Sequence, residues 1–216
     1  MRLEGAEPTE GAPSPGTRSG GASVDDLKGE TLQLRDGTEV RIRPVAREDR
    51  PRVLEFLAHL SPYSLELRYF SPVRREDVAS EILTTTDRAN RLSLLLETIG
   101  PGRERVIAQG EFVRVADHPN RAEVAFLVAD DLHGQGAATL LLWELARRAR
   151  EAGIRGFEAT VRPENRPMID VFVGAGFPCS ISWHEGEGVV LLDLAHEPAV
   201  AIALRDPPTG HRLVSA

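Results

Sequence analysis

Residues 122–142 read AEVAFLVADDLHGQGAATLLL, and three textures follow one another within them. Ala122 to Val128 is an apolar run broken once, by Glu123. Asp130 to Gly136 is polar and carries Gly134 and Gly136, and from Ala137 the residues are small and then leucine-rich. The pattern predicts a strand that passes through a glycine turn into a helix. Such a turn leaves backbone N–H groups pointing out of the helix N-terminus, a geometry that suits a phosphate. A Cβ at either glycine would hold the anion away from the backbone. The stretch is therefore a candidate pyrophosphate seat.

A dinucleotide-binding fold would ask for G-x-G-x-x-G directly after the first strand of a βαβ unit. Here Thr139 occupies the third glycine position, and Asp130 to His133 lengthen the turn. Both features argue against that fold.

The chain has 216 residues, room for one domain of ordinary size plus tails, and 41% hydrophobic residues supply a core. Its formal net charge is −7, from 26 Lys and Arg against 33 Asp and Glu, which disfavours nucleic acid as a partner. Cys179 is the sole cysteine, so no disulfide framework or multi-cysteine metal site forms within one chain. The six histidines lack metal-ligand spacing, and no metal is expected. No apolar run reaches membrane-spanning length, and the N-terminus lacks the apolar core of a secretory signal. The expectation is a cytoplasmic protein without a membrane partner, monomeric or homodimeric.

Residues 1–29 are rich in Gly, Pro, Ser, Thr and Glu and read as a disordered tail; 30–196 form the domain, and 197–216 a C-terminal extension. Within the domain, Leu32 and Leu34 precede Asp36-Gly37, a hairpin turn, and Val40, Ile42 and Pro44 follow as a strand. Helical spacing appears over Glu48–Leu60, near Tyr63–Phe70 and over Arg75–Thr84. Strands are predicted at Leu92–Ile99, Val106–Val115 and Ala122–Val128, with turns at Pro101-Gly102 and Asp117–Asn120. Short connections make those three strands antiparallel neighbours. Thr139–Glu151 is a helix stopped by Gly153, and Phe157–Val161 a strand parallel to Ala122–Val128 through that crossover. A short helix over Asn165–Val173 and a hairpin of Ile181–Trp183 with Val189–Leu194 complete the domain, and Ala199–Leu204 is a candidate edge strand. The fold class is α/β, an α+β mixed sheet.

His133-Gly134-Gln135-Gly136-Ala137-Ala138 resembles the acyl-CoA signature of the GNAT superfamily of N-acetyltransferases, Arg/Gln-x-x-Gly-x-Gly/Ala. Gly136 and Ala138 match it, and His133 stands where Arg or Gln is usual. Asn165-Arg166-Pro167-Met168, through Phe172 to Gly176-Phe177, resembles the second conserved block of that superfamily. The resemblance covers about Leu32 to Leu194 and implies the GNAT fold, mostly antiparallel with one splayed parallel pair.

It also implies a co-substrate, acetyl-CoA, and an amine acceptor. Pantetheine would lie between the two parallel strands and pair with backbone at Phe126, Leu127 and Val128. The pyrophosphate would meet amides from Gly134 to Thr139, the loop being His133, Gly134, Gln135, Gly136, Ala137, Ala138 and Thr139. Asn165 either touches pantetheine or caps its helix. Phe172 lies beside the cofactor where many relatives carry a Tyr that protonates the departing thiolate; Tyr63, Tyr69 and Cys179 are other candidates for that proton.

Glu123 interrupts the apolar strand. Acyl transfer needs a neutral amine, whereas a lysine ammonium has a pKa near ~10.4, so a base must take its proton. By strand position Glu123 resembles the glutamate that does this in GNAT protein acetyltransferases; the alternative is a surface residue on an alternating strand. Glu111 on the neighbouring strand is a second candidate, expected to face solvent. Leu60 to Ser71, LSPYSLELRYFS, resembles the LSP…RFF segment of bacterial GNAT domains that acetylate lysines of acyl-CoA synthetases. That segment would line the acceptor side, or simply pack as a helix. The resemblance implies a protein lysine as acceptor, with a small-molecule amine or a non-catalytic acyl-CoA-binding module as alternatives.

Overall fold

Alternating apolar residues build a single sheet whose two faces are covered by different helices. The computed structural model describes residues 31–84, 87–100, 102, 104–196 and 198. The tail predicted over 1–29 and the candidate strand at Ala199–Leu204 lie outside them.

The strands are β1 (Leu32–Gln33), β2 (Glu39–Pro44), β3 (Arg91–Thr98), β4 (Val106–Val115), β5 (His118–Val128), β6 (Gly156–Val161), β7 (Cys179–His184) and β8 (Glu187–Asp193). The helices are α1 (Arg50–Ala58), α2 (Pro62–Tyr69), α3 (Arg75–Ile82), α4 (Ala137–Glu151) and α5 (Arg166–Gly174). Strand order is β1-β2-β3-β4-β5-β6-β8-β7. Every neighbouring pair is antiparallel except β5–β6, which is parallel because α4 carries the chain back across the sheet.

Val40, Leu92, Leu94, Phe112, Val124 and Phe126 project to one face, beneath Leu141, Leu142 and Leu145 of α4 and Ile169 and Phe172 of α5. Leu95, Val106, Leu127 and Ala129 project to the other, against α1, α2 and α3. The Trp143 indole N–H donates to the carbonyl of Ala175 at 2.9 Å and holds α4 beside the end of α5.

Four boundaries differ from the sequence reading for identifiable reasons. β5 begins at His118 instead of following a turn at Asp117–Asn120, and the turn is Ala116-Asp117. Pro119 and Asn120 are poor strand residues, yet Pro119 precedes the β6 pairing, so its missing N–H leaves no gap in that ladder. The Arg114 guanidinium donates to the carbonyls of Pro119, Ala89 and Ala152 and pins this irregular start. The helix expected over Glu48–Leu60 opens as a 3-10 turn at Arg47–Asp49 and becomes α-helical at Arg50. Helix α4 begins at Ala137, two residues before Thr139, because Gly136 takes φ 92° and serves as its N-cap. The last hairpin is longer than expected and turns at Glu185-Gly186.

Where β2 and β3 meet α1, the fully buried Glu97 carboxylate accepts from Arg43 (2.5 Å), Arg52 (2.5 Å) and Arg41 (3.0 Å). Arg43 also donates to both oxygens of Asp49, at 2.6 and 2.7 Å. Burial alone would raise the pKa values of Glu97 and Asp49, but the arginine hydrogen bonds outweigh it and hold both below the ordinary carboxylate range. This lattice locks the first helix to the sheet edge.

Candidate active site

β5 and β6 pair over only three positions, Arg121–Gly156, Ala122–Phe157 and Glu123–Glu158. Beyond them the strands part, β6 continuing its ladder with β8 and β5 with β4. The gap is a cleft of about 990 Å³, floored by Val124 to Val128 and Ala159 to Val161. Ala129 N–H donates to Ile107 of β4 at 2.8 Å. Backbone direction alternates along a strand, so Phe126 and Val128 turn their N–H and C=O groups the other way, into the cleft. These groups can accept an extended chain carrying amides, as an added strand would. The Phe126 ring lies across Gly110, where a Cβ would approach within 2.8 Å of it, and against Phe172 with ring centroids 6.1 Å apart. The cleft wall is apolar as a result.

The glycine turn forms one end of the cleft. Gly134 and Gly136 have φ of 76° and 92°, values that favour glycine. No side chain caps α4, so the amides of its first turn remain free to meet an anion, and the helix dipole adds positive potential there. His133 Nε2 lies 3.2 Å from the Val128 carbonyl and closes the corner between strand and loop. Of the residues assigned to the cofactor from sequence, Phe126, Leu127, Val128, His133, Gly134, Gly136, Ala137, Ala138, Thr139, Asn165 and Phe172 line the cleft. Gln135 does not; its carbonyl accepts from Arg35 N–H at 3.1 Å. Asn165 is the N-cap of α5, its Oδ1 accepting from Met168 N–H at 3.3 Å.

The other end lies under α2. Glu123 is exposed, lines the cleft and sits at the last paired position before the strands separate. Glu111 corrects the expectation of a solvent-facing residue: it is 3% exposed and held between Arg68 and Arg91, each at 2.9 Å. β4 is covered on both faces, and a carboxylate there must be paired. Two guanidiniums occupy the oxygens of Glu111, whereas Glu123 is open to the cleft.

Tyr63, Ser64, Leu67 and Phe70 form the α2 wall. Asp130 ties that wall to the glycine turn, accepting from Ser61 N–H at 2.9 Å and Ser64 Oγ at 2.5 Å. Partial burial opposes its ionisation, but these bonds and His133 hold Asp130 below the usual carboxylate range. Across the mouth, Arg162 donates to the Phe70 carbonyl at 2.9 Å and to Glu66 at 3.3 Å. Phe70 is left-handed, with φ 59°, and its ring centroid lies 5.3 Å from the Arg162 guanidinium.

Among the tyrosines, Tyr63 lines the cleft and is 57% exposed, whereas Tyr69 lies outside its lining, and burial pushes its phenol well above the ordinary range. Cys179 lies on β7, away from the cleft lining, and burial raises its thiol. Among the described residues no group of three or more His, Cys, Asp or Glu side chains is placed to hold a metal ion. No described helix is long and apolar enough to cross a membrane.

A splayed parallel pair, an uncapped glycine turn and a carboxylate at the point of separation thus share one cleft. The model of the acetyltransferase (GNAT) family matches residues 60–177, and the chain belongs to that family. It is 30% identical over 169 residues to acetyltransferase Pat of Mycolicibacterium smegmatis, covering 77% of this chain. It spans about half of that relative's length, 49%. The crystal structure of the GNAT domain of S. lividans PAT superposes with a TM-score of 0.68 at 35% identity, covering 76% of this chain and 96% of that domain. Mycobacterium smegmatis RimJ in complex with CoA-disulfide shares the fold at TM-score 0.61 and 21% identity, over 81% of this chain and 94% of that one.

Proposed function

We propose that the protein transfers the acetyl group of acetyl-CoA to a primary amine, preferentially a lysine side chain of a protein such as an acyl-CoA synthetase. The observation that carries the reading is the end of β5–β6 pairing at Glu123 and Glu158. It frees strand backbone for pantetheine and leaves one open carboxylate where the thioester and the amine would meet. Pantetheine lies along Phe126, Leu127 and Val128, and the pyrophosphate on the turn from His133 to Thr139. Asn165 and Phe172 border it on the α5 side.

In the proposed reaction Glu123 takes the ammonium proton, directly or through a water. The neutral nitrogen attacks the thioester carbon, and the β5 backbone stabilises the oxyanion as it forms. The nitrogen of the intermediate then gives its extra proton to solvent as the intermediate collapses to an amide and expels the CoA thiolate. Phe172 has no hydroxyl to offer that sulfur, so solvent supplies its proton; a thiol pKa near ~8.5 makes it a tolerable leaving group without one. No covalent enzyme intermediate is formed. The protein acceptor is supported by the resemblance of Leu60–Ser71 to segments of lysine-directed GNAT domains and by the open α2 end. The test incubates the protein with acetyl-CoA and purified acyl-CoA synthetases and maps acetyl-lysine by mass spectrometry. Turnover of a polyamine or amino acid without any acetyl-lysine would replace the protein acceptor with a small one.

The Arg162 bridge gives this reading a separate check. Arg162→Ala releases the α2 C-terminus, the proposed acceptor wall, without touching the glycine turn. An exposed ion pair contributes about 1 kcal/mol at most, so the acceptor KM should rise up to about fivefold while that of acetyl-CoA stays constant. Steady-state kinetics with each substrate varied in turn measures the split, and an equal rise in both KM values would deny Arg162 a role in the acceptor wall.

A further inference from the structure

We propose that Arg35 is a phosphate ligand of the cleft, supplying from the β1–β2 turn the guanidinium charge that position 133 lacks. The inference rests on the reading of the cleft as a CoA site. Arg35 lies 99 residues before Gly134, yet its Nη1 donates to the Gly134 carbonyl at 3.0 Å and its backbone N–H to the Gln135 carbonyl at 3.1 Å. These two bonds fix the hairpin against the glycine turn and place the side chain in the cleft lining.

The charge of Arg35 is otherwise unused. A guanidinium has five N–H donors, and one bond to a carbonyl leaves most of them available. Among the described residues no carboxylate lies within ion-pair distance of it, whereas Arg68, the other arginine lining the cleft, is bound to Glu111. His133 cannot fill the role: its Nε2 faces the Val128 carbonyl at 3.2 Å and lies 3.9 Å from Asp130. Of the two acids on the turn, Asp131 is paired with Arg105 at 2.5 Å, but Asp130 takes its hydrogen bonds from the neutral Ser61 N–H and Ser64 Oγ, so an incoming pyrophosphate meets the Asp130 charge beside a helix N-terminus. That N-terminus is equivalent to roughly half a positive charge. Arg35 adds a full one, in a side chain whose fork suits phosphate oxygens.

Arg35→Gln removes the charge and keeps an N–H donor; Arg35→Lys keeps the charge without the fork. Calorimetric titration of CoA into wild type and both variants, at about 50 mM and about 500 mM salt, separates charge from scaffolding, because screening weakens an exposed charge contact and leaves a neutral hydrogen bond nearly unaffected. The expected result is about tenfold weaker binding by Arg35→Gln at low salt, a gap that narrows at high salt, and a salt dependence retained by Arg35→Lys. Unchanged affinity of Arg35→Gln at low salt, or the same loss at both salt levels, overturns the proposal in favour of a buttress for the loop. Wild-type protein that binds no CoA overturns the CoA reading and this inference together.

Discussion

Glu123→Gln is expected to lower turnover near neutral pH by about 10²–10⁴-fold, the usual effect of losing a general base, while acetyl-CoA affinity stays near wild type. Glutamine keeps the size and polarity of the side chain but cannot take a proton. The affinity should survive because the backbone of Phe126 and Val128 and the amides after Gly136 hold the cofactor in this account, and Glu123 touches neither. Raising the pH should recover part of the rate, since an acceptor amine with a pKa near ~10.4 then arrives neutral more often. The check is kcat/KM against pH for both proteins, with the rise of the variant displaced to higher pH. Equal profiles would return Glu123 to the status of a surface carboxylate. The search would then pass to a water held by strand backbone, because Glu111 is enclosed by Arg68 and Arg91.

The second large effect concerns folding. Glu97→Gln leaves Arg41, Arg43 and Arg52 converging on a neutral, fully buried side chain. Removing one partner of a buried ion pair costs about 3–5 kcal/mol; the low end applies here because the three guanidiniums keep part of their hydration. A loss of about 3 kcal/mol lowers the melting temperature of a domain this size by roughly 6–12 °C. Wild type should show the same dependence through pH. The folded pKa values of Glu97 and Asp49 are depressed, so their contribution is complete above the unfolded carboxylate range, near ~4. It is lost as pH falls through the lower folded values. Denaturation measured between about pH 7 and pH 3 should show stability falling at the acid end in wild type and a shallower fall in Glu97→Gln. Parallel curves would contradict the network's role.

Local chemistry carried much of the fold into view. The apolar run at Ala122–Val128, the glycine turn and the leucine spacing after Ala137 mark β5, its loop and α4 because each depends on neighbours in sequence. The position of Glu123 was legible for the same reason. Glu111 was misread because one charged residue in an alternating strand resembles a surface residue. Its burial depends on β4 being central, and its partners lie 43 and 20 residues away. Arg35 and Arg162 escaped notice on similar grounds. Their side chains acquire meaning only when the β1–β2 turn meets Gly134 and when the end of β6 meets Phe70, across separations of 99 and 92 residues. The early start of β5 was hidden by Pro119 and Asn120, whose weak strand propensity is offset by Arg114, which ties Pro119 to the distant carbonyls of Ala89 and Ala152.

In the proposed reaction acetyl-CoA bound between β5 and β6 gives its acetyl group to an amine. The most direct measurement is release of CoA thiol from acetyl-CoA, with and without amine and protein acceptors, by wild type and by Gly136→Asp. The substitution sets a carboxylate against the phosphate seat and forces a side chain onto φ 92°, so circular dichroism must first confirm a folded protein. The expected result is thiol release that requires an acceptor, saturates with acetyl-CoA, and falls sharply in folded Gly136→Asp. Acceptor-dependent release that is equal in the two proteins, or absent from wild type across the whole panel of amines and proteins, would contradict it.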